Sequence, residues 1–126
     1  MVRYIYTSKI AQTLDHQDLQ NIVQSANKYN QQNGITGLLI SNFDCFFQVL
    51  EGPEQHVVAL YEKIKVDTRH TGLHLLSCEE VKNRLFPDWK MGYLTFPLEE
   101  PPIIKVDWTK LTTEDCDKIL ARVVPK

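Results

Sequence analysis

Two side-chain amides, Asn30 and Gln48, stand where the surrounding pattern asks for carbon. Both belong to one stretch, N-Q-Q-N-G-I-T-G-L-L-I-S-N-F-D-C-F-F-Q-V-L-E-G over residues 30–52. It reads as a helix end, two apolar strands and a turn. An amide buried without partners costs on the order of a few kcal/mol. Two on facing elements imply either a polar ligand held between them or a polar pair that satisfies itself. Gln48 alone also admits a plainer reading, an amide turned to water or to a sheet edge. Tyr6 adds a phenol on the first strand, and an inward phenol ties its hydroxyl to a partner. Asp67, Thr68, Arg69 and His70 follow a helix end. They read as a solvated turn whose cations suit the helix dipole, or as an anion grip.

Other chemistries are poorly supplied. The net charge is −2 and there is no basic run, so no electrostatic footprint for nucleic acid exists. Cys45, Cys78 and Cys116 are an odd, scattered set, neither a disulfide framework nor a zinc site. His70 and His74 are four apart, but Gly72 between them argues against a helical metal pair. No apolar run reaches bilayer length, and M-V-R-Y-I-Y lacks the apolar region of a signal peptide. The expectation is a cytoplasmic protein with no membrane or nucleic-acid partner.

The elements that must position the amides follow from periodicity. Val2 to Ser8 alternates as a strand, with Tyr4, Tyr6 and Ser8 on one face and Arg3, Ile5 and Thr7 on the other. A helix runs from an Asp15 cap to about Gln32, with Leu19, Ile22, Val23 and Ala26 as its apolar stripe. Four residues beyond Ala26 stands Asn30, so that amide points coreward, while Lys28 falls off the stripe. Asn33-Gly34 reads as the helix C-cap. Ile35 to Ser41 is an apolar strand, and Gly37 within it leaves room for a close approach. A turn at Asn42, Phe43 and Asp44 leads into a strand over Cys45 to Glu51, an antiparallel hairpin. There Phe46, Gln48 and Leu50 share one face; Phe47, Val49 and Glu51 share the other.

Gly52-Pro53 opens a second helix to about Asp67, with Val57, Val58, Tyr61, Ile64 and the stem of Lys65 inward. A fourth strand spans Gly72 to Val81, with His74 and Leu76 opposite Leu73 and Leu75. Arg84 to Asp88 turns into a fifth strand, Trp89 to Phe96, with Trp89, Met91, Tyr93 and Thr95 on one face. Trp and Met one pleat apart are ordinary core, and a soft pair that can repack. Glu99-Glu100-Pro101-Pro102 marks a boundary. Beyond it lie an extended piece, Ile103 to Trp108, and a short helix capped by Thr112 or Thr113. That helix carries Ile119, Leu120 and Val123 and docks on the sheet or on a second chain. At 126 residues and 43% hydrophobic content the chain fits one core. Strand, helix, strand, strand, helix, strand, strand closes as a ferredoxin-like α/β sandwich, a mixed five-stranded sheet with both helices on one face.

Five strings in order carry a family resemblance: Y-I-Y-T-S at 4–8, N-Q-Q-N-G-I-T-G-L-L at 30–39, F-F-Q-V-L-E-G at 46–52, D-T-R-H at 67–70 and F-P-D-W-K-M at 86–91. Together they resemble the BLUF family, blue-light sensors that use FAD. The resemblance covers roughly residues 1 to 96 and implies a flavin domain at 1–97 with an extension at 98–126. It implies FAD, with FMN a possible substitute, ringed between the two helices. Tyr6 is then the electron and proton donor, and Gln48 the amide between phenol and flavin. Asn30 holds the ring's polar edge. Arg69 and His70 lie along the ribityl chain and the ring's open side, Ser8 and Asp67 are further cofactor contacts, Ile22, Leu39 and Ile64 pack beside the ring, and Lys28 reaches a phosphate. The family position before the asparagine is often His or Asn; here it is Tyr29. Light moves an electron and then a proton from tyrosine, and the return leaves a rearranged Gln48 amide and a small red shift. An amide has a donor and an acceptor end, so turning it reverses its hydrogen bonds without changing charge. Strand five, through Trp89 and Met91, relays the change to a protein effector in trans or within a homo-oligomer. No substrate is consumed. The rival readings are a cofactor-free regulatory dimer module and an acylphosphatase-like enzyme. The latter lacks its arginine-lined phosphate loop, since Lys9 to Leu14 holds neither arginine nor a glycine-rich turn.

Overall fold

The computed structural model describes residues 1–11, 16–41, 45–95 and 111–124. The expected Asp15 cap, the Asn42–Asp44 turn, the Glu99–Pro102 boundary and the 103–108 piece lie outside them. The elements are β1 (Val2–Ile10), α1 (His16–Asn33), β2 (Thr36–Ser41), β3 (Cys45–Gly52), α2 (Glu54–Lys65), β4 (His70–Glu80), β5 (Gly92–Thr95) and α3 (Thr113–Val123). Sheet order is β4-β1-β3-β2-β5. All pairings are antiparallel except β2 with β5. This is the ferredoxin-like sheet expected from the element order.

Strand alternation sorts the core into two layers. Tyr6, Phe46, Leu50 and Leu39 face α1 and α2, which add Leu19, Ile22, Val23, Val57 and Tyr61. Ile5, Phe47, Val49, Leu38 and Ile40 face the other way, where α3 supplies Cys116 and Ile119. The C-terminal helix therefore docks on the sheet of its own chain. Thr112 caps it, its hydroxyl accepting from Asp115 N while Asp115 accepts from Thr112 N. His74 Nε2 lies 3.2 Å from the carbonyl of Leu111 at the same seam.

Gly34 (φ 68°) ends α1, and Ile35 N donates to Asn30 O at 3.0 Å, closing the helix as the sequence predicts. Gly37 is required by β3: a Cβ there would lie 1.9 Å from the Val49 carbonyl oxygen. Gly37→Ala is accordingly expected to cost about 3 kcal/mol or more, since the strands would have to part. An unchanged urea midpoint would show that they can part freely.

The fifth strand departs from the expected span. β5 begins at Gly92, so Trp89 and Met91 precede it and do not share a face. Trp89 stacks on Phe86 (5.5 Å, 26°) in the α3-side core, whereas Met91 packs in the helix-side core. The reason is local. Residues 84–91 are held in turns by long-range hydrogen bonds, and Gly92 leaves space that the Trp89 indole fills; a Cβ would come within 2.3 Å of it. β4 also starts earlier than expected, at His70, with Gly72 (φ 61°) at a register shift against β1. Lys65, expected inward by its stem, is exposed and pairs with Glu62 at 3.6 Å.

Candidate functional site

β1 and β3 pair with Tyr6 directly opposite Gln48. Both side chains leave the sheet toward the helices, and the Tyr6 hydroxyl donates to Gln48 Oε1. The plainer reading of Gln48 as a water-facing amide is thus overturned. Its neighbours are a buried phenol on one side and Met91 on the other, with Nε2 3.7 Å from Met91 Sδ. Met91, not Trp89, is the residue against the amide.

The pair lies in a cleft of about 360 Å3 between α1 and α2, within the usual range of small-molecule sites. Its walls are largely apolar: Ile22 and Ala26 from α1, Leu39 and Phe46 from the sheet, Leu60 and Ile64 from α2. Ser8, Asn30, Asp67, Arg69 and His70 add polar groups. Eleven expected site residues therefore meet here. Lys28 does not line the cleft; it is exposed on α1. Trp89 is directed to the opposite layer.

Two polar atoms in this cleft are buried and unpaired among the described residues, Asn30 Oδ1 and His70 Nδ1. The other end of the Asn30 amide is used, with Nδ2 donating to the Lys90 carbonyl at 2.6 Å. A buried acceptor left open beside apolar walls is matched by a planar ligand with a polar, N–H-bearing edge. A flavin ring has that shape and edge, so the residues fit it.

Charge is concentrated at one rim. Arg69 Nη2 lies 2.5 Å from Asp67 Oδ2, and Arg69 N donates to Asp67 Oδ1 at 2.9 Å. The bond to Arg69 holds the Asp67 carboxyl below its ordinary range against the opposing effect of burial. Lys63 is the cation that sequence reasoning missed. It lines the cleft with Nζ 4.6 Å from the Tyr29 ring centroid, and pairs with no carboxylate among the described residues. The signal was available: Leu60, Lys63, Ile64 and Asp67 follow helical spacing on the face toward α1.

Burial pushes the Tyr6 hydroxyl well above its ordinary value, with Tyr61 and Asp67 adding to the shift. The folded phenol therefore keeps its proton to higher pH than a free tyrosine. Above about pH 10 the unfolded chain ionises this group and the folded chain does not, so stability declines with rising pH. In a spectrophotometric titration, Tyr6→Phe should leave the native curve unchanged up to unfolding. Loss of one ionising phenol from that curve would contradict the burial argument.

A family model described as sensors of blue-light using FAD matches residues 1–92. The chain belongs to the BLUF family. Among its BLUF relatives, the blue light- and temperature-regulated antirepressor BluF of Escherichia coli (strain K12) is 38% identical over 96 residues, 76% of this chain and 24% of that protein. The ground-state structure of BlsA superposes with a TM-score of 0.86 at 28% identity, covering 99% of this chain and 88% of that one. BlrP1 of Klebsiella pneumoniae with FMN and cyclic diGMP gives 0.70 at 27%, covering 99% and 30%. The chain thus spans about a quarter of the curated relative's length. BLUF domains are blue-light sensors that bind a flavin, which accords with the cleft. No described helix is long and apolar enough to cross a membrane.

Proposed function

We propose that this chain is a blue-light receptor in which Tyr6 and Gln48 carry the photochemistry of FAD bound between α1 and α2. The observation that carries the reading is the Tyr6–Gln48 hydrogen bond in the same cleft as the open Asn30 acceptor. When bound, the flavin supplies absorption of blue light and, once excited, a strong one-electron acceptor. Tyr6 gives up an electron and its proton. Gln48 then regains its partner with the amide reversed, so that the end facing Met91 changes from donor to acceptor. A thioether accepts weakly but offers no proton, so the reversed amide loses its partner at Met91. Met91 must then repack, and with it the Lys90 carbonyl that Asn30 holds. Trp89 moves only through the chain that joins it to Met91.

Asn30 and His70, each with an open buried polar atom, would hold the polar edge of the ring, and Ile22, Leu39 and Ile64 would flank it. Arg69, steadied by Asp67, and Ser8 would serve the ribityl side. Lys63 at the rim is better placed than exposed Lys28 for a phosphate. The receptor turns over no substrate. Its changed state is read in the cytoplasm by contact with an effector protein or a second copy of the chain. The regulatory role in BluF's name supports readout by a protein.

Absorption spectra test the reading. Purified protein should be yellow, release FAD rather than FMN on denaturation, and shift reversibly to the red under blue light. Protein that stays colourless after reconstitution with FAD refutes it.

A further inference from the structure

Three phenols form a row that leads away from the cleft. The Tyr6 and Tyr61 rings meet edge to face at 5.6 Å and 68°, and Tyr61 meets Tyr4 at 5.2 Å and 68°. These separations fall within the range of direct aromatic contact. Tyr6 and Tyr61 are buried, at 2% and 8% exposure, and Tyr4 is half-buried. Tyr4 stands opposite Cys78 on the edge strand β4. Neither Tyr61 nor Tyr4 lines the cleft, so flavin binding does not account for the row.

Resting on the photoreceptor reading, we propose that Tyr61 is a second electron donor, which refills Tyr6 and carries the oxidising equivalent outward to Tyr4. Tyr6 that has lost an electron and a proton is a phenoxyl radical. An electron crosses to it from the Tyr61 ring, and a proton returns through the Gln48 amide to the Tyr6 oxygen. The Tyr61 hydroxyl releases its own proton to water. Tyr6 is restored and Tyr61 is short of one electron and one proton; the electron first taken stays on the cofactor. Tyr4 repeats the step toward Tyr61.

The three donors are the same phenol, so their surroundings decide the direction. Glu62 beside Tyr61 and Glu54 beside Tyr4 favour an electron-poor ring, as Asp67 does at Tyr6, so the carboxylates give no strong bias outward. Lys65, with Nζ 5.8 Å from the Tyr61 centroid, opposes it. The hop is therefore a minor branch that competes with return of the electron to Tyr6, and Lys65 is its brake.

Illumination without an added donor tests the row. Wild type and Tyr61→Phe should give the same red-shifted state, but Tyr61→Phe should lose a small tyrosyl signal in electron paramagnetic resonance. Slow bleaching of the flavin under continuous light should accompany the radical in wild type, and Tyr61→Phe should slow it about tenfold. Lys65→Gln should increase the radical several-fold. Tyr29 also borders the cleft, so Tyr29→Phe is the control. Equal radical and equal bleaching in wild type and Tyr61→Phe, or a loss seen only with Tyr29→Phe, overturns the relay. No red shift in wild type overturns the photoreceptor reading instead.

Discussion

In Tyr6→Phe, blue light produces no red-shifted state although flavin remains bound. The substitution removes one oxygen and keeps the ring packed against Tyr61. The walls that would grip the flavin, Ile22, Leu39, Phe46 and Ile64, are untouched. What disappears is the proposed donor of the electron and the proton, together with the hydrogen bond that orients Gln48 Oε1. The cost in stability is small, about 1 kcal/mol for one hydrogen bond, so a folded, yellow, light-inert protein is the expected sample. Gln48→Leu should be equally inert for the complementary reason, because a leucine has no ends to exchange. The light-minus-dark difference spectrum is the measurement. A normal red shift in both variants would remove Tyr6 and Gln48 from the photochemistry.

Glu51→Ala is expected to cost about 3–5 kcal/mol, the usual price of stripping one partner from a buried ion pair. Set against a total of about 5–15 kcal/mol for a domain, that is a large share. Glu51 is fully buried on the face of β3 opposite Gln48. Its carboxylate accepts from Arg3 Nε at 3.1 Å, Thr36 Oγ1 at 3.4 Å, Leu85 N at 2.9 Å and Phe86 N at 2.6 Å. Arg84 ties the same corner to Gly34 O at 2.7 Å and Glu51 O at 3.1 Å. Removing the carboxylate leaves the Arg3 guanidinium, 9% exposed as a residue, short of its buried partner, and frees the part-buried amide of Leu85 and the buried amide of Phe86. The segment so released leads directly to Trp89 and Met91. Urea unfolding should show the loss, and the Trp89 fluorescence should change even where the fold persists. A midpoint within experimental scatter of wild type would mean that the knot is dispensable.

The alternation of β1 and β3 already turns Tyr6 and Gln48 to the same kind of face, and helical spacing from Ala26 already turns Asn30 coreward. These are local facts, set by the two-residue pleat and the 3.6-residue turn, and the structure keeps them. Gly34 and Gly37 were equally legible, because a helix stop and a strand glycine each imply one backbone geometry. The meeting of Tyr6 with Gln48 was not local. It needs β3 beside β1 in one register, and a slip of one residue would turn Gln48 to the α3 side. Tertiary packing likewise separated Met91 from Trp89, since residues 84–91 follow the Glu51 carboxylate and the Gly37 and Asn30 bonds rather than any period. Lys63 at the rim, Glu51 buried in the core and α3 on its own sheet were decided in the same way. Period and propensity sense neighbours within a turn or a pleat, whereas these choices depend on partners that the chain brings together only after dozens of residues.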